Sequence, residues 1–119
     1  MRTIIKEDIP VVIKDDNVEL RIDDIGGMTV GFVQLKAGTD LSGATVGLPD
    51  DLCPCPHWGR MLKGRLKMKT IDGDKFFEAG DVFYWGPGHA PIALEDCEYV
   101  DFSPTKEFAA VIRHLKGEA

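Results

Sequence analysis

The chain is dominated by short runs in which apolar and polar residues alternate. In residues 65–70, Leu66 and Met68 alternate with basic residues, as a half-buried β-strand requires. Asp72-Gly73 is a strong signal for a tight turn, so residues 75–78 should return as the antiparallel partner. The same reasoning predicts further strands at residues 4–5, 11–13, 18–22, 28–35, 82–85, 92–94 and 97–102.

Two segments depart from simple alternation. Residues 82–85 are apolar throughout, which predicts a strand that is buried on both faces. Residues 36–51 are polar or rich in glycine and show no clear period. They are therefore predicted to form a loop with one irregular strand.

One helix is predicted, at about residues 104–116. Ser103 is suited to the N-cap and Pro104 to the first helical position. The apolar residues Phe108, Val111 or Ile112, and Leu115 fall on one face, and Gly117 can end the helix. We expect this helix to pack against the outside of a barrel formed by the strands or to dock on a neighbouring subunit.

Size and charge narrow the class of protein. The chain has 119 residues, of which 44% are hydrophobic and 29% charged, as in a single globular domain covering residues 1–119. Its net charge of −6 disfavours nucleic acid and anionic membrane surfaces as partners. The amino terminus lacks the succession of residues typical of a signal peptide, and no apolar run approaches the ~20 residues of a membrane helix. We therefore expect a cytoplasmic protein.

Metal-binding residue types are concentrated in one stretch. Cys53, Cys55 and His57 occupy alternate positions, and His89 follows on a later predicted strand. Thiolate and imidazole groups at strand spacing are suited to holding one metal ion in the mouth of a small β-barrel. The prolines between them favour extended backbone, which would keep the three side chains on a common side. Two alternatives stay open: the cysteines are buried as small hydrophobes, or they form a strained Cys-x-Cys disulfide.

Two segments resemble the signature motifs of the cupins, which are small double-stranded β-helix barrels. The run from Gly80 to Gly86-Pro87-Gly88-His89 resembles the second motif, with the histidine two residues early but in the same strand parity. In the first motif, Cys53-Pro54-Cys55 takes the place of the family's histidine pair, with five residues between Gly47 and Cys53. His57 takes the place of the family's glutamate, with six residues before Gly64.

The resemblance covers residues 47–104 and implies both a fold and a site. The implied fold is all-β, a double-stranded β-helix or jelly-roll barrel with one C-terminal α-helix. The implied metal ligands are His57 and His89, together with Cys53 and Cys55. Sulfur and imidazole ligands favour zinc, whereas iron or nickel becomes plausible when imidazole dominates.

A pocket is expected beside the metal. Alternate apolar residues of the central strands must face the barrel lumen, and Arg60 is a candidate for neutralising a substrate carboxylate at its rim. The predicted pocket residues are Trp58, Arg60, Met68, Phe83, Tyr84 and Trp85. No catalytic residue is identified, because no side chain other than a ligand stands out as a general base.

Two functions from different classes fit this pattern. The first is a metal enzyme whose open coordination position supports isomerisation, cyclisation, lyase chemistry or dioxygenation of a small organic molecule. The second is a non-catalytic binding or sensing protein without an open metal site. In either case we expect a homodimer formed through the amino-terminal strands, which have little else to cover them.

Overall fold

Two antiparallel sheets and one C-terminal helix make up the computed structural model, which describes residues 1–117. The strands are β1 (Val11–Lys14), β2 (Val18–Ile25), β3 (Met28–Leu35), β4 (His57–Lys63), β5 (Arg65–Thr70), β6 (Gly73–Glu78), β7 (Val82–Trp85), β8 (His89–Ala93) and β9 (Cys97–Pro104), and the helix α1 is Thr105–Leu115. One sheet has the order β1-β2-β3-β9-β4-β7 and the other β6-β5-β8. The all-β class and the C-terminal helix predicted from the sequence are confirmed.

The hairpin predicted from alternation is formed by β5 and β6. Thr70 pairs with Gly73 across the turn, and Arg65 pairs with Glu78 at the other end. Leu66 and Met68 are almost fully buried between the sheets, whereas Lys69 is exposed. The period of two therefore located both the strand and its buried face.

The prediction of a strand at residues 4–5 is wrong. This segment makes no strand pairing, and a short 3-10 turn at Lys6–Asp8 separates it from β1. The guanidinium of Arg21 donates hydrogen bonds to the carbonyl oxygens of Lys6 and Ile9, at 3.4 and 3.1 Å. The side chain of Arg21 thus holds residues 6–9 to the sheet, whereas the prediction assumed backbone pairing at residues 4–5.

β1 is an edge strand of the six-stranded sheet. Homodimerisation through the amino-terminal strands stays a prediction.

The expectation that residues 82–85 are buried on both faces is also wrong. Phe83 and Trp85 are buried, but Val82 and Tyr84 are 79% and 57% exposed. The side chains of β7 alternate between the interior and an exposed outer face, so the strand is buried on one face only. The loop predicted at residues 36–51 is present and continues to residue 56, with a 3-10 turn at Pro49–Asp51. In place of the irregular strand, it makes isolated bridges such as that between Asp40 and Ile92.

The helix is in its predicted place, but its start and its packing differ. Ser103 is not the N-cap, because β9 continues to Pro104, which pairs with Met28 of β3. Phe108 and Val111 are buried and, with Leu115, line a cavity between the two sheets. The helix therefore closes one side of that cavity instead of lying on the outside of the barrel. No helix within residues 1–117 is long and apolar enough to cross a membrane.

Gly64 provides a test of the turn between β4 and β5. Its φ is +78°, and a Cβ there would lie 2.1 Å from the carbonyl oxygen of Asp96, whereas Gly73 has a φ of +111° and open space around it. We expect Gly73→Ala to lower the free energy of unfolding by ~1–3 kcal/mol through backbone strain. Gly64→Ala should lower it by at least ~2 kcal/mol more, because the backbone must also move. Equal midpoints of urea unfolding for the two variants would contradict this packing.

Candidate metal centre

The structure brings three of the four predicted ligands together. One ligand atom from each of Cys53, His57 and His89 lies within 4.8 Å of the other two. The Cys53 Sγ is 3.8 Å from the His57 Nε2, and the centroids of the two imidazole rings are 5.0 Å apart. All three side chains are buried.

These side chains come from both sheets and from the loop between β3 and β4. His57 is the first residue of β4 in the six-stranded sheet, and His89 is the first residue of β8 in the three-stranded sheet. The backbone N–H of Cys53 donates to the carbonyl of His89 at 2.8 Å, and the N–H of Gly88 donates to the carbonyl of Cys53 at 2.8 Å. This bridge fixes Cys53 beside β8.

Both imidazole rings make a short hydrogen bond through Nδ1. The His89 Nδ1 is 2.6 Å from the carbonyl oxygen of Gly86, which can only accept, so Nδ1 carries the proton. The His57 Nδ1 is 2.6 Å from the Ser103 hydroxyl. When Nδ1 is the donor, the lone pair of a neutral ring lies on Nε2, where it is available to a metal.

Burial keeps the three groups uncharged in the metal-free protein. It lowers the pKa of His57 to about 3, with a further contribution from the nearby His89, and it also lowers the pKa of His89. Burial raises the pKa of the Cys53 thiol to about 11. The site therefore presents two neutral imidazoles and a thiol, and a bound cation would favour loss of the thiol proton.

The spacing fits a small divalent ion. A tetrahedral zinc ion, with Zn–S of ~2.3 Å and Zn–N of ~2.0 Å, places sulfur and nitrogen ligand atoms ~3.5 Å apart. The Cys53 sulfur and His57 nitrogen are 3.8 Å apart, so a shift of a few tenths of an ångström would suffice. The ligand atom of His89 lies within 4.8 Å of the other two and must move towards them by somewhat more.

Comparison with solved structures identifies the fold. No protein-family model and no curated protein sequence matches the chain. The chain is similar to ectoine synthase from P. lautus, with a TM-score of 0.64 and 14% identity over 87% of this chain and 78% of that one. It is similar to KdgF from Halomonas sp., with a TM-score of 0.61 and 19% identity over 84% of this chain and 92% of that one. It is also similar to an RmlC-like cupin from Shewanella frigidimarina, with a TM-score of 0.64 and 13% identity over 92% of this chain and 96% of that one.

The chain has the cupin fold. The jelly-roll barrel expected from the two motifs is thereby confirmed. The low identities mean that the likeness extends to the fold alone, so the chemistry of this protein must be argued from its own side chains.

Cys55 does not join the other three predicted ligands. It is fully buried, and its Sγ lies 3.5 Å from the carbonyl oxygen of Pro56. The prediction assumed one continuous strand, in which alternate residues share a face. In the structure Cys53 pairs with β8 while β4 begins only at His57, so the alternation is interrupted between them.

The predicted pocket residues fall into three groups. Trp85 borders the cavity beside the site. Met68 and Phe83 are buried in the core but do not line the cavity formed by residues 1–117. The remaining three, Trp58, Arg60 and Tyr84, are exposed on the outer face of the six-stranded sheet.

Strand parity explains the third group. His57 and Trp85 point inward, so their sequence neighbours Trp58 and Tyr84 must point outward, and these two rings pack together with centroids 5.1 Å apart. Arg60 lies two residues beyond Trp58 and shares its outward direction. It is therefore too remote to neutralise a ligand in the cavity.

The cavity beside the three ligands has a volume of about 200 Å³ and a largely apolar wall. Val33 comes from β3, Leu20 from β2, and Phe108 and Val111 come from α1. Cys53, His57 and His89 line the same space. Among residues 1–117, neither a lysine nor an arginine lines it, and its acidic lining residues are Asp15 and Asp101.

Sequence reasoning missed the inward row of β9. Tyr99, Asp101 and Ser103 are buried and face the interior, whereas Val100 and Phe102 lie on the outer face. From residue 99 to residue 103, this strand thus reverses the usual arrangement of apolar residues inside and polar residues outside. The alternation of polar residues with Val100 and Phe102 over this stretch was the available signal.

Asp101 and Tyr99 place ionisable groups beside the site. The Asp101 Oδ2 is 3.6 Å from the His57 Nδ1, while its Oδ1 has no hydrogen-bond partner within residues 1–117. Burial raises the pKa of Asp101 to about 7. Burial, with a contribution from Asp101, raises the pKa of Tyr99 well above its usual value. The Tyr99 phenol is therefore a neutral hydrogen-bond donor at the cavity wall.

The low pKa of His89 makes a prediction about acid stability. Below pH ~6.5 the His89 ring binds a proton in the unfolded chain but stays neutral in the folded chain. The free energy of unfolding therefore falls as the pH falls. Between about pH 7.5 and pH 5, the metal-free wild type should lose more unfolding free energy than His89→Gln, by up to ~1.4 kcal/mol per pH unit below 6.5. Denaturant titrations at the two pH values measure the difference. Parallel losses would contradict a buried neutral ring.

Proposed function

We propose that this cupin binds a divalent metal ion through Cys53, His57 and His89 and acts on a small uncharged molecule in the adjoining cavity. The observation that carries the proposal is the convergence of one sulfur and two imidazole ligand atoms within 4.8 Å at the wall of a largely apolar cavity. Buried groups of these types, oriented by further hydrogen bonds, are typical of metal centres.

Zinc is the ion that this donor set favours. A mixture of one thiolate and two imidazoles suits zinc, whereas iron(II) sites are usually built from histidines and a carboxylate. Three protein ligands leave a fourth tetrahedral position for water or substrate, as in catalytic zinc sites. The arrangement therefore favours an open site over the closed, four-ligand site of a structural or sensing protein.

The charges around the cavity favour a neutral ligand. An anionic ligand would be buried beside Asp101 without a lysine or arginine from residues 1–117 to pair with it. Burying an unpaired charge costs several kcal/mol, whereas the apolar wall stabilises a compact hydrocarbon skeleton. A volume of about 200 Å³ is below the range of drug-sized pockets, which indicates a small metabolite.

Redox-neutral chemistry follows from these features. A bound zinc ion would supply Lewis-acid polarisation of a carbonyl or hydroxyl oxygen. Tyr99 lines the same cavity and can donate a hydrogen bond to that molecule. Isomerisation, cyclisation and elimination need only such polarisation and proton transfer. Ectoine synthase, which this chain resembles in fold, is an enzyme by its name, so the scaffold is compatible with catalysis.

The metal content of variants tests the ligand assignment. Protein purified without chelator should contain about one zinc ion per chain, measured by elemental analysis. Cys53→Ser, His57→Gln and His89→Gln should each weaken zinc binding by more than the ~10–100-fold typical of outer partners, because each removes a direct ligand.

Cys55→Ser and Cys97→Ser are the matched controls. Both remove a buried thiol, but neither sulfur belongs to the convergent group, so both should retain zinc. Loss of zinc from Cys55→Ser with retention by Cys53→Ser would reverse the assignment. A wild-type protein without affinity for zinc would overturn the proposed function.

Fluorescence of Trp85 tests the ligand class. In a Trp58→Phe background Trp85 is the remaining tryptophan, and it lines the cavity. For the metal-free protein, cyclohexanol should change its emission, and cyclohexanecarboxylate should bind at least ~10-fold more weakly because its charge would be buried unpaired.

Two valine substitutions locate the response. Val111→Phe should block it by filling the cavity, whereas Val82→Phe on the exposed outer face should leave it unchanged. Equal affinity for the alcohol and the carboxylate would refute the neutral-ligand assignment.

A further inference from the structure

Asp101 is flanked by a glycine on both neighbouring strands. In the register of the six-stranded sheet, Asp101 of β9 pairs with Gly31 of β3 on one side and with Gly59 of β4 on the other. Glycine within a strand costs roughly 0.5–1 kcal/mol relative to alanine and often marks a close approach of other atoms. Two such glycines beside one buried carboxylate indicate that the sheet leaves space for it.

The geometry of Gly31 agrees with this interpretation, whereas Gly59 is required by the close approach of the β9 backbone and the Phe83 ring. A Cβ on Gly31 would lie 2.6 Å from the Asp101 Oδ1, so the carboxylate occupies the space of a missing side chain. A Cβ on Gly59 would lie 2.9 Å from the Asp101 Cα and 2.1 Å from the carbonyl oxygen of Val100. Alanine at Gly31 would thus displace the carboxylate, whereas alanine at Gly59 would displace the backbone of β9.

Within residues 1–117, no lysine or arginine side chain pairs with Asp101. It is 3% exposed, and its contact within ion-pair distance is the His57 ring, 3.6 Å away, which is neutral. A buried carboxylate without a compensating charge is costly, so such groups are usually paired or coordinate metals. Asp101 lies on the Nδ1 side of the His57 ring, and the proposed metal ion lies on the Nε2 side. That ion is therefore the cation that could compensate the carboxylate.

We propose that Asp101 is the charge partner of the metal centre and a positioning residue for His57, in a space created by Gly31. This inference rests on the proposed metal site. A divalent ion bound to one thiolate and two neutral imidazoles keeps one net positive charge, which the Asp101 carboxylate offsets inside the barrel. The carboxylate also favours the His57 tautomer that carries its proton on Nδ1, beside Ser103.

Zinc affinity measured by competition with a chelator tests the proposal. Asp101→Asn keeps the shape of the side chain and removes its charge, and we expect it to weaken zinc binding by ~10–100-fold. Glu98→Gln removes a carboxylate from the same strand but on the outer face, where it pairs with Lys6, so its affinity should equal that of wild type.

The spectrum of the cobalt(II) form separates positioning from ligation. Asp101→Asn should require more cobalt to reach saturation but then show the sulfur-to-cobalt charge-transfer band of the wild type, because Cys53 remains a ligand. A merely structural role would leave the affinity of the folded variant unchanged.

A double-mutant cycle tests the role of Gly31. Gly31→Ala should weaken zinc binding in the wild-type background because it displaces the carboxylate, and it should have little effect in an Asp101→Ala background. This variant also tests the proposal if Asp101→Asn does not fold. Additive effects of the two substitutions would overturn the coupling.

The outcomes distinguish this inference from the proposed function. Wild-type affinity in Asp101→Asn would overturn the role of Asp101 while leaving the metal site intact. A wild-type protein that binds no zinc would overturn both. A selective loss of affinity in Asp101→Asn and Gly31→Ala, with Glu98→Gln unaffected, would support the charge partner.

Discussion

The candidate site depends on the backbone bridge between Cys53 and His89. This bridge holds the loop before β4 against the first residue of β8, so that groups from the two sheets meet at one point. Gly88 makes the approach possible, because its φ of +91° turns the chain sharply into His89. Without the bridge, His57 and His89 would still begin their strands, but the sulfur would have no fixed place between them.

The second constraint is the reversed polarity of β9. A central strand with tyrosine, aspartate and serine facing inward must satisfy or offset buried polar groups that an apolar strand would not contain. Ser103 does so through its contact with the His57 Nδ1, and the space at Gly31 accommodates the Asp101 carboxylate. The sheet thus gives up apolar packing along one row to surround the imidazole with polar groups, an arrangement suited to tuning a metal ligand.

The fold and the site carry different kinds of information. Proteins that share 13–19% identity with this chain have the same barrel, so its shape tolerates extensive change in the residues that build it. The cluster of Cys53, His57 and His89 and a cavity that no lysine or arginine of residues 1–117 lines are features of the side chains, not of the fold. Function on a widely used scaffold has to be inferred from such features.

The sequence by itself determined the elements whose signals are local: the β5–β6 hairpin, the amphipathic helix, and the concentration of cysteine and histidine around two turns. Only the tertiary structure decided which side chains meet. It separated Cys55 from Cys53, turned Trp58 and Tyr84 outward, and placed Asp101 behind His57. The physical reason is that alternation fixes two faces within one strand, whereas cross-strand neighbours depend on sheet order and register, which arise from contacts between residues distant in the chain.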